Sequence, residues 1–298
     1  MIRVGCCGWT YKDWIGPFYP ENMRGQRGKW LEYYGEFFPT VEIDSTYYSV
    51  PGERTVAAWI AKGHRIGDFN FSLKMHRDVT HSKILQDAEE AARKAVEFEN
   101  GVITPLAENN LLGSVLVQLS PRFKRHGPPV DDNIETLRVL LDALKVDEYD
   151  YVVEFRHRSW LDEEGKEYSE DLAEMLRERN VAVCIIDSPY FPRTKEATAD
   201  HSYVRFHGRN FDIWWKKEKD VADHRINRYD YLYSGEELDR WVPKLKDMDS
   251  RSEKTRVYFN NHGKAKAAKN GFYLMDELGV PHKKKEIHIR EQYTLESF

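Results

Sequence analysis

Eight short segments of this chain are built like β-strands, and nearly every gap between them is built like a helix. The strand-like segments are Arg3–Gly8, Val41–Ser45, Phe69–Lys74, Ser114–Leu119, Tyr151–Arg156, Val181–Asp187, Ser202–His207 and Thr255–Asn260. Most are rich in Val, Ile, Phe and Tyr, the residues that fit a pleated, half-buried surface. Between them, apolar residues recur at helical spacing: Trp30, Tyr33, Tyr34 and Phe37; Val56, Trp59 and Ile60; Ile134, Leu137, Leu141 and Leu144; Leu172, Met175 and Leu176. Ala88–Phe98 is an Ala-rich helical stretch, and Ala265–Leu278 is a helix closed by Gly279 and Pro281. Asp131 and Asp132 open one helix, Ser169 precedes another, and Ser234 with Glu237 forms a capping box. Pro243 sits inside that last pattern and is expected to kink or shorten the helix.

Eight βα units predict a single (β/α)8 TIM-type barrel, a fold of about 250 residues. Residues 1–280 read as that one domain, and 281–298 as a charged, peripheral tail. The β6–β7 connection, Ser188–His201, is irregular: it carries Pro189 and Pro192 without an apolar period and reads as a loop. The loop after β7, from Gly208 to Ser234, is long and rich in aromatic and basic residues, with Trp214–Lys217 and Arg228–Tyr233 as its densest parts.

Alternation decides between a barrel and an open sheet. Central strands of a doubly wound sheet are covered on both faces and read as near-continuous apolar runs. Here polar residues share one face: Glu42 with Asp44, Asn70 with Ser72 and Lys74, Glu154 with Arg156, Arg205 with His207, Tyr258 with Asn260. Gln118 stands among apolar neighbours, and Asp187 ends the sixth strand. A barrel places the last inward residue of each strand at its mouth, beside water and substrate.

These residues form the candidate site. Apolar packing is often at least as stable as buried ion pairs, so a charged interior reads better as a device for shifting pKa values and holding a polar ligand. Glu42 and Glu154 are the candidate acid and base, because desolvation raises a glutamate's pKa. Lys74 can bind an anion or, beside Arg156 or Arg205, lose enough basicity for Schiff-base chemistry. Arg156 and Arg205 suit bidentate capture of a carboxylate or phosphate. His207 can shuttle protons, and Asp187 is grouped with the catalytic set. Loop residues complete the list: His81 after β3, His157 and Trp160 after β5, and Asn261, Gly263 and Lys264 after β8. Trp160 can stack on a ring or cap a helix. Gly263, at a helix start after β8, is where barrels often bind phosphate, with Gly208–Asn210 completing the site.

The sequence blocks 5–20 (GCCGWTYKDWIGPFYP), 41–51 (VEIDSTYYSVP), 71–81 (FSLKMHRDVTH), 115–121 (VLVQLSP), 153–160 (VEFRHRSW), 203–210 (YVRFHGRN) and 258–265 (YFNNHGKA) resemble the YecE-like family, domain of unknown function 72. The resemblance spans nearly the whole chain to about Gly279 and implies a TIM-type barrel. The family's name carries no activity, so the resemblance implies a fold and a site but no reaction. Its pattern has an Asp or similar residue after the Asn pair, where this chain has His262.

Composition limits the remaining choices. There are three cysteines, Cys6, Cys7 and Cys184, and no C-x-x-C pair, so neither a disulfide framework nor a structural zinc site is expected. Mean hydropathy is −0.71 and no transmembrane or signal segment is present, which reads as a cytoplasmic protein without membrane contact. A net charge of −5 disfavours nucleic acid as a partner, although the aromatic-basic segment of 209–233 points the other way. No cofactor is specified. Glu42, Asp44, Glu154, Asp187, His207 and His262 are of the type to hold Mg, Mn or Zn, but no ligand spacing such as H-E-x-x-H occurs. Three readings stay open: an enzyme using acid/base chemistry on a small phosphorylated or carboxylated substrate, a metal-dependent hydrolase acting on nucleic acid among other substrates, and a ligand-binding barrel without turnover. Isomerase, lyase and hydrolase are not distinguished.

Overall fold

The computed structural model of the chain describes residues 1–189, 191, 194, 197–211 and 229–289. Eight parallel strands close into a barrel: β1 (Ile2–Cys7), β2 (Thr40–Ile43), β3 (Asn70–Lys74), β4 (Leu112–Gln118), β5 (Tyr151–Glu154), β6 (Ala182–Asp187), β7 (His201–Phe206) and β8 (Lys254–Phe259). Each strand pairs with the next, and β8 returns to β1 with Val4 opposite Val257 and Cys6 opposite Phe259. The fold class read from the sequence is the one observed.

The helices lie where the periodicity puts them: α1 (Trp30–Gly35), α2 (Glu53–Ile66), α3 (Ala88–Phe98), α4 (Asn133–Asp142), α5 (Glu170–Glu178), α6 (Gly235–Asp239), α7 (Val242–Arg251) and α8 (Lys266–Leu278). Their starts follow from local chemistry. Asp132 caps α4 by accepting from the Ile134 amide at 3.0 Å. Ser234 and Glu237 form the expected capping box. Pro243 does break the helical stretch: α6 ends before it, and the proline sits in the first turn of α7, where its missing N–H costs nothing. A short hairpin, His126–Gly127 against Val130–Asp132, gave no sequence signal.

Two apolar regions result from alternation on every strand. Outward residues such as Val41, Ile43, Phe71, Val115, Val153 and Ile185 pack under the helices. A smaller interior cluster of Cys7, Leu116, Val152, Ala182, Cys184, Ile186, Tyr203 and Tyr258 fills the barrel. Below it the closed end is tied by Arg256, which reaches Asp150 and Ser114, both at 2.9 Å. Above it the interior turns polar. The described part of 188–201 carries no helix, and residues 190, 192, 193, 195 and 196 lie outside the described set. So do 212–228, which include Trp214–Lys217 and Arg228, and 290–298. The described part of the tail lies against the outer layer: Ile287 is buried and His282 stacks on Phe272. Among the described residues, no helix is long and apolar enough to cross a membrane.

Candidate active site

Arg205 stands at the centre of the barrel with a side chain 1% exposed. Tyr203 and Arg205 on β7 and His207 just after it point inward, and the guanidinium borders the cavity at the mouth. It donates through Nη2 to Glu42 Oε1 and through Nη1 to Glu154 Oε2, both at 2.7 Å. Tyr203 donates to Glu42 Oε2 at 2.6 Å, and Gln118 donates to Glu154 Oε1 at 2.7 Å. Both arms of Arg205 are therefore taken by the protein's own carboxylates. The sequence reading of Arg205 as a clamp for a substrate anion is corrected to that of an internal counter-ion.

The two glutamates differ because their surroundings differ. Burial alone would raise Glu154, but Arg205 and then His207 hold its carboxyl well below the usual range. Burial pushes Glu42 up to about 7, with Asp44 adding to the rise against the pull of Arg205. Asp44, on the short turn after β2, goes the other way: burial is outweighed by Lys74 and Arg205 together, which hold it below its usual value. Asp44 Oδ1 is buried without a hydrogen-bond donor, and the nearest guanidinium nitrogen is 3.6 Å away. Of the two, Glu42 is therefore the one that holds a proton more readily, with Asp44 facing the cavity and Glu42 sealed beneath it.

Cys7, Glu42 and Asp44 also bring three ligand-type atoms within 4.8 Å of one another. That cluster already has its cation: the Arg205 Nη2 that bonds Glu42 lies 3.7 Å from Cys7 Sγ. Of the residues considered for a metal, Asp187 lies outside the cavity, and Glu154 is committed to Arg205 and Gln118.

Over this network lies a cavity of about 550 Å³ at the C-terminal ends of the strands. Its wall includes Asp44, Lys74, Gln118, Glu154, Arg156, His157, Arg205, His207 and Asn260, so most of the inward list converges there. Asn260 Nδ2 lies 3.0 Å from His207 Nδ1, and His207 Nε2 lies 3.5 Å from Glu154, which fixes the ring. Burial lowers the His207 pKa, with Arg205 adding to it. Lys74 sits over the Tyr47 ring at 4.2 Å. Burial lowers its pKa, and Asp44 is the charge that opposes this most. His81 is not in the wall. It packs edge-on to Tyr47 at 5.0 Å, and burial together with Lys74 and Arg156 pushes it down to about 4.

Several expected residues lie elsewhere. Asp187 points outward, because Ala182, Cys184 and Ile186 are the inward residues of β6. It accepts from Arg209 Nε and Nη2 at 2.7 and 2.6 Å and from Trp241 Nε1 at 3.0 Å, under α6 and α7. Trp160 is fully buried on the outside, stacked on Phe123, with its Nε1 donating to the Phe123 carbonyl. Of its two readings, ligand stacking is overturned, since it is packed into the protein. Asn261 is buried and donates to the Tyr231 carbonyl and to Asn270. At Gly263 and Lys264 the expected phosphate position is filled by carboxylates of the chain. The Lys264 amide donates to Asp13 at 2.6 Å, and Asp230 pairs with Lys266 at 2.7 Å. Arg209, its proposed partner, is committed to Asp187 and Glu237.

The sequence reading missed Tyr11 and Tyr48 on the aromatic side of the cavity, where they join Tyr229 of the 228–233 segment and His262, which was considered only for a metal. Tyr11 stacks on His262 at 4.3 Å, and Trp14 donates to the His262 carbonyl at 2.6 Å. The loops after β1 and β8 are thereby latched together, as neighbours in the barrel should be. The aromatic run Trp9–Trp14 just after β1 was the available signal. Gly208 turns the chain away from the mouth with φ of +87°, and a Cβ there would meet the Tyr231 side chain at 2.8 Å.

The fold and the site together define a class: (β/α)8 barrels with an ion-paired interior and a basic cavity at the C-terminal ends of the strands. Residues 3–293 match the family model described as protein of unknown function DUF72, and the chain belongs to that family. The YunF protein of Bacillus subtilis is 29% identical over 94% of this chain and 95% of its own length. The YecE protein of Escherichia coli K12 is 28% identical over 68% of this chain and 63% of its own length. A crystal structure of a DUF72 family protein from Thermotoga maritima superposes with a TM-score of 0.76 at 30% identity, covering 94% of this chain and 99% of that one. One from Enterococcus faecalis, at 22% identity and a TM-score of 0.73 over 98% and 99% of the two chains, shares the fold.

Proposed function

We propose that this barrel is an enzyme acting by acid/base chemistry on a small anionic substrate, phosphorylated or carboxylated, bound at the C-terminal mouth. One observation carries the reading. Among the described residues, Lys74 and Arg156 line the cavity and form no ion pair or hydrogen bond, whereas the buried charges around them are paired. Half-buried cations without counter-ions are costly unless an anion completes them. Arg156 supplies the planar fork for a phosphate or carboxylate, and Lys74 a point charge beside it. The proton on Glu42, beside Asp44, is the proton source, and Asp44 is the member of the pair that reaches the substrate. Glu154 acts as a positioning residue through Arg205, Gln118 and His207.

The test is a thermal-shift screen of phosphorylated and carboxylated metabolites at fixed ionic strength. A ligand at a hundred times its Kd adds about 2.7 kcal/mol to stability. For 298 residues that raises Tm by about 4 °C. Arg156→Ala is expected to abolish the shift. A screen in which no anion stabilises the wild-type protein, or in which Arg156→Ala responds equally, rejects the proposal.

A further inference from the structure

We infer that Lys74 is a covalent catalyst that forms an imine with its substrate, so the substrate is an aldehyde or ketone that also carries a phosphate or carboxylate. This rests on the anion-binding reading of the same cavity and goes beyond it, because a lysine that only binds an anion needs no proton donor at its side.

The geometry is that of an amine held ready and not used elsewhere. Lys74 is the last residue of β3, a rigid barrel strand, and its Nζ is held over the Tyr47 ring within the cavity wall. No carboxylate oxygen lies within salt-bridge distance among the described residues, although three acidic residues surround it at longer range. The strongest of these couplings is to Asp44, which lines the same cavity and stands next to Glu42. Among the described residues Arg156 is unpaired, and it lines the same cavity as Lys74, so a substrate whose anionic group is anchored on Arg156 shares that cavity with the amine. Burial works in the same direction by favouring the neutral, nucleophilic amine.

The step balances within these groups. The Lys74 nitrogen lone pair attacks the carbonyl carbon, forming a C–N bond while the C=O π pair moves to oxygen. One proton from that nitrogen and the proton held by the Glu42–Asp44 pair pass to the oxygen, which leaves as water. The product is a protonated imine, and the proton pair is left fully ionised against Arg205, which is already in contact with Glu42 at 2.7 Å. Hydrolysis reverses each transfer. The protonated imine then serves as the electron sink for breaking a C–H or C–C bond next to the former carbonyl.

The experiment uses pyridoxal 5′-phosphate as the probe, since it carries an aldehyde and a phosphate on one small frame. The full chain is incubated with it, reduced with borohydride, digested and mapped by mass spectrometry. Lys74 is expected to carry the reduced adduct at least about tenfold above any other lysine. Inorganic sulfate should protect it, and Arg156→Ala should lower the labelling to the level of surface lysines. Lys74→Arg, whose fold is checked by its melting curve, should lose the adduct. Sulfate binding is measured separately by calorimetry. If sulfate binds but the label is spread over surface lysines, the imine is refuted and the anion site stands. If sulfate does not bind and Lys74 is unlabelled, both fail. Labelling of Lys74 that Arg156→Ala leaves unchanged refutes the anchored carbonyl substrate.

Discussion

Arg205→Met is the most informative single change, because among the described residues Arg205 is the cation that both central glutamates share. The substitution removes two 2.7 Å charge-assisted hydrogen bonds and leaves Glu42, 0% exposed, without its guanidinium and Glu154, 1% exposed, with only His207 at 3.5 Å. Deleting one partner of a buried ion pair costs about 3–5 kcal/mol. The unfolding entropy of a 298-residue chain is about 0.6 kcal/mol/K, so Tm should fall by about 5–8 °C near pH 8. The pH dependence gives the sharper signature. Without Arg205 both carboxyls have folded pKa values above their unfolded ones, so they destabilise as pH rises and stop doing so once protonated. The deficit relative to wild type should therefore shrink steadily as pH is lowered from about 8 to about 5. In wild type, Glu154 has the opposite sign: its depressed pKa contributes stability above the unfolded value, and that is lost only in acid. Melting curves by circular dichroism across that range, for both proteins, separate the two behaviours. A deficit below about 2 °C, or one that does not change with pH, refutes Arg205 as the counter-ion of this pair.

Sulfate affinity should fall by about tenfold between about pH 6 and pH 9. Glu42, pushed up to about 7, gains a negative charge over that range; a flat calorimetric profile would contradict this. Trp160→Ala removes a fully buried ring and should cost about 3–5 kcal/mol, or about 5–8 °C in Tm, while sulfate affinity stays unchanged. A loss of affinity at unchanged stability would return Trp160 to the ligand. Asp187→Asn breaks the Arg209 fork and should lower stability by about 3 kcal/mol in denaturant titrations, again with sulfate affinity intact.

How far the site could be read from the chain depended on alternation. Where a strand mixes polar and apolar residues, its parity is visible. Glu42 with Asp44, Ser72 with Lys74, Glu154 with Arg156 and Arg205 with His207 were all placed on the inward face from sequence, and the barrel puts them there. In β6 the run Val181–Ile186 is wholly apolar and shows no parity. Asp187 was then placed by its position at the strand end, and it turned out to face the helices. The loop residues were harder still. Trp160 and Gly263 follow the strands in the places where ligand contacts often lie, but only tertiary structure shows that Phe123 covers one and Asp230 stands against the other.

Pairing was the part least accessible, and it changes the chemistry more than placement does. Arg205, Arg156 and Lys74 are equivalent as inward cations in a sequence. Arg205 meets Glu42 across 163 residues and Glu154 across 51, distances over which no local pattern carries information. Once those contacts are known, the three cations separate by function. Arg205 is spent on the protein and sets the protonation of the carboxylates around it. Arg156 and Lys74, left without partners in the described wall, are the two that an incoming anion can complete. The carboxylates separate in the same way. Glu154, held down by Arg205, stays ionised and serves to position its neighbours, whereas Glu42, coupled to Asp44, keeps a proton near neutral pH. On the proposed reading, turnover is what gives the proton on Glu42 a use beside the clamp, because holding an anion alone requires only the clamp.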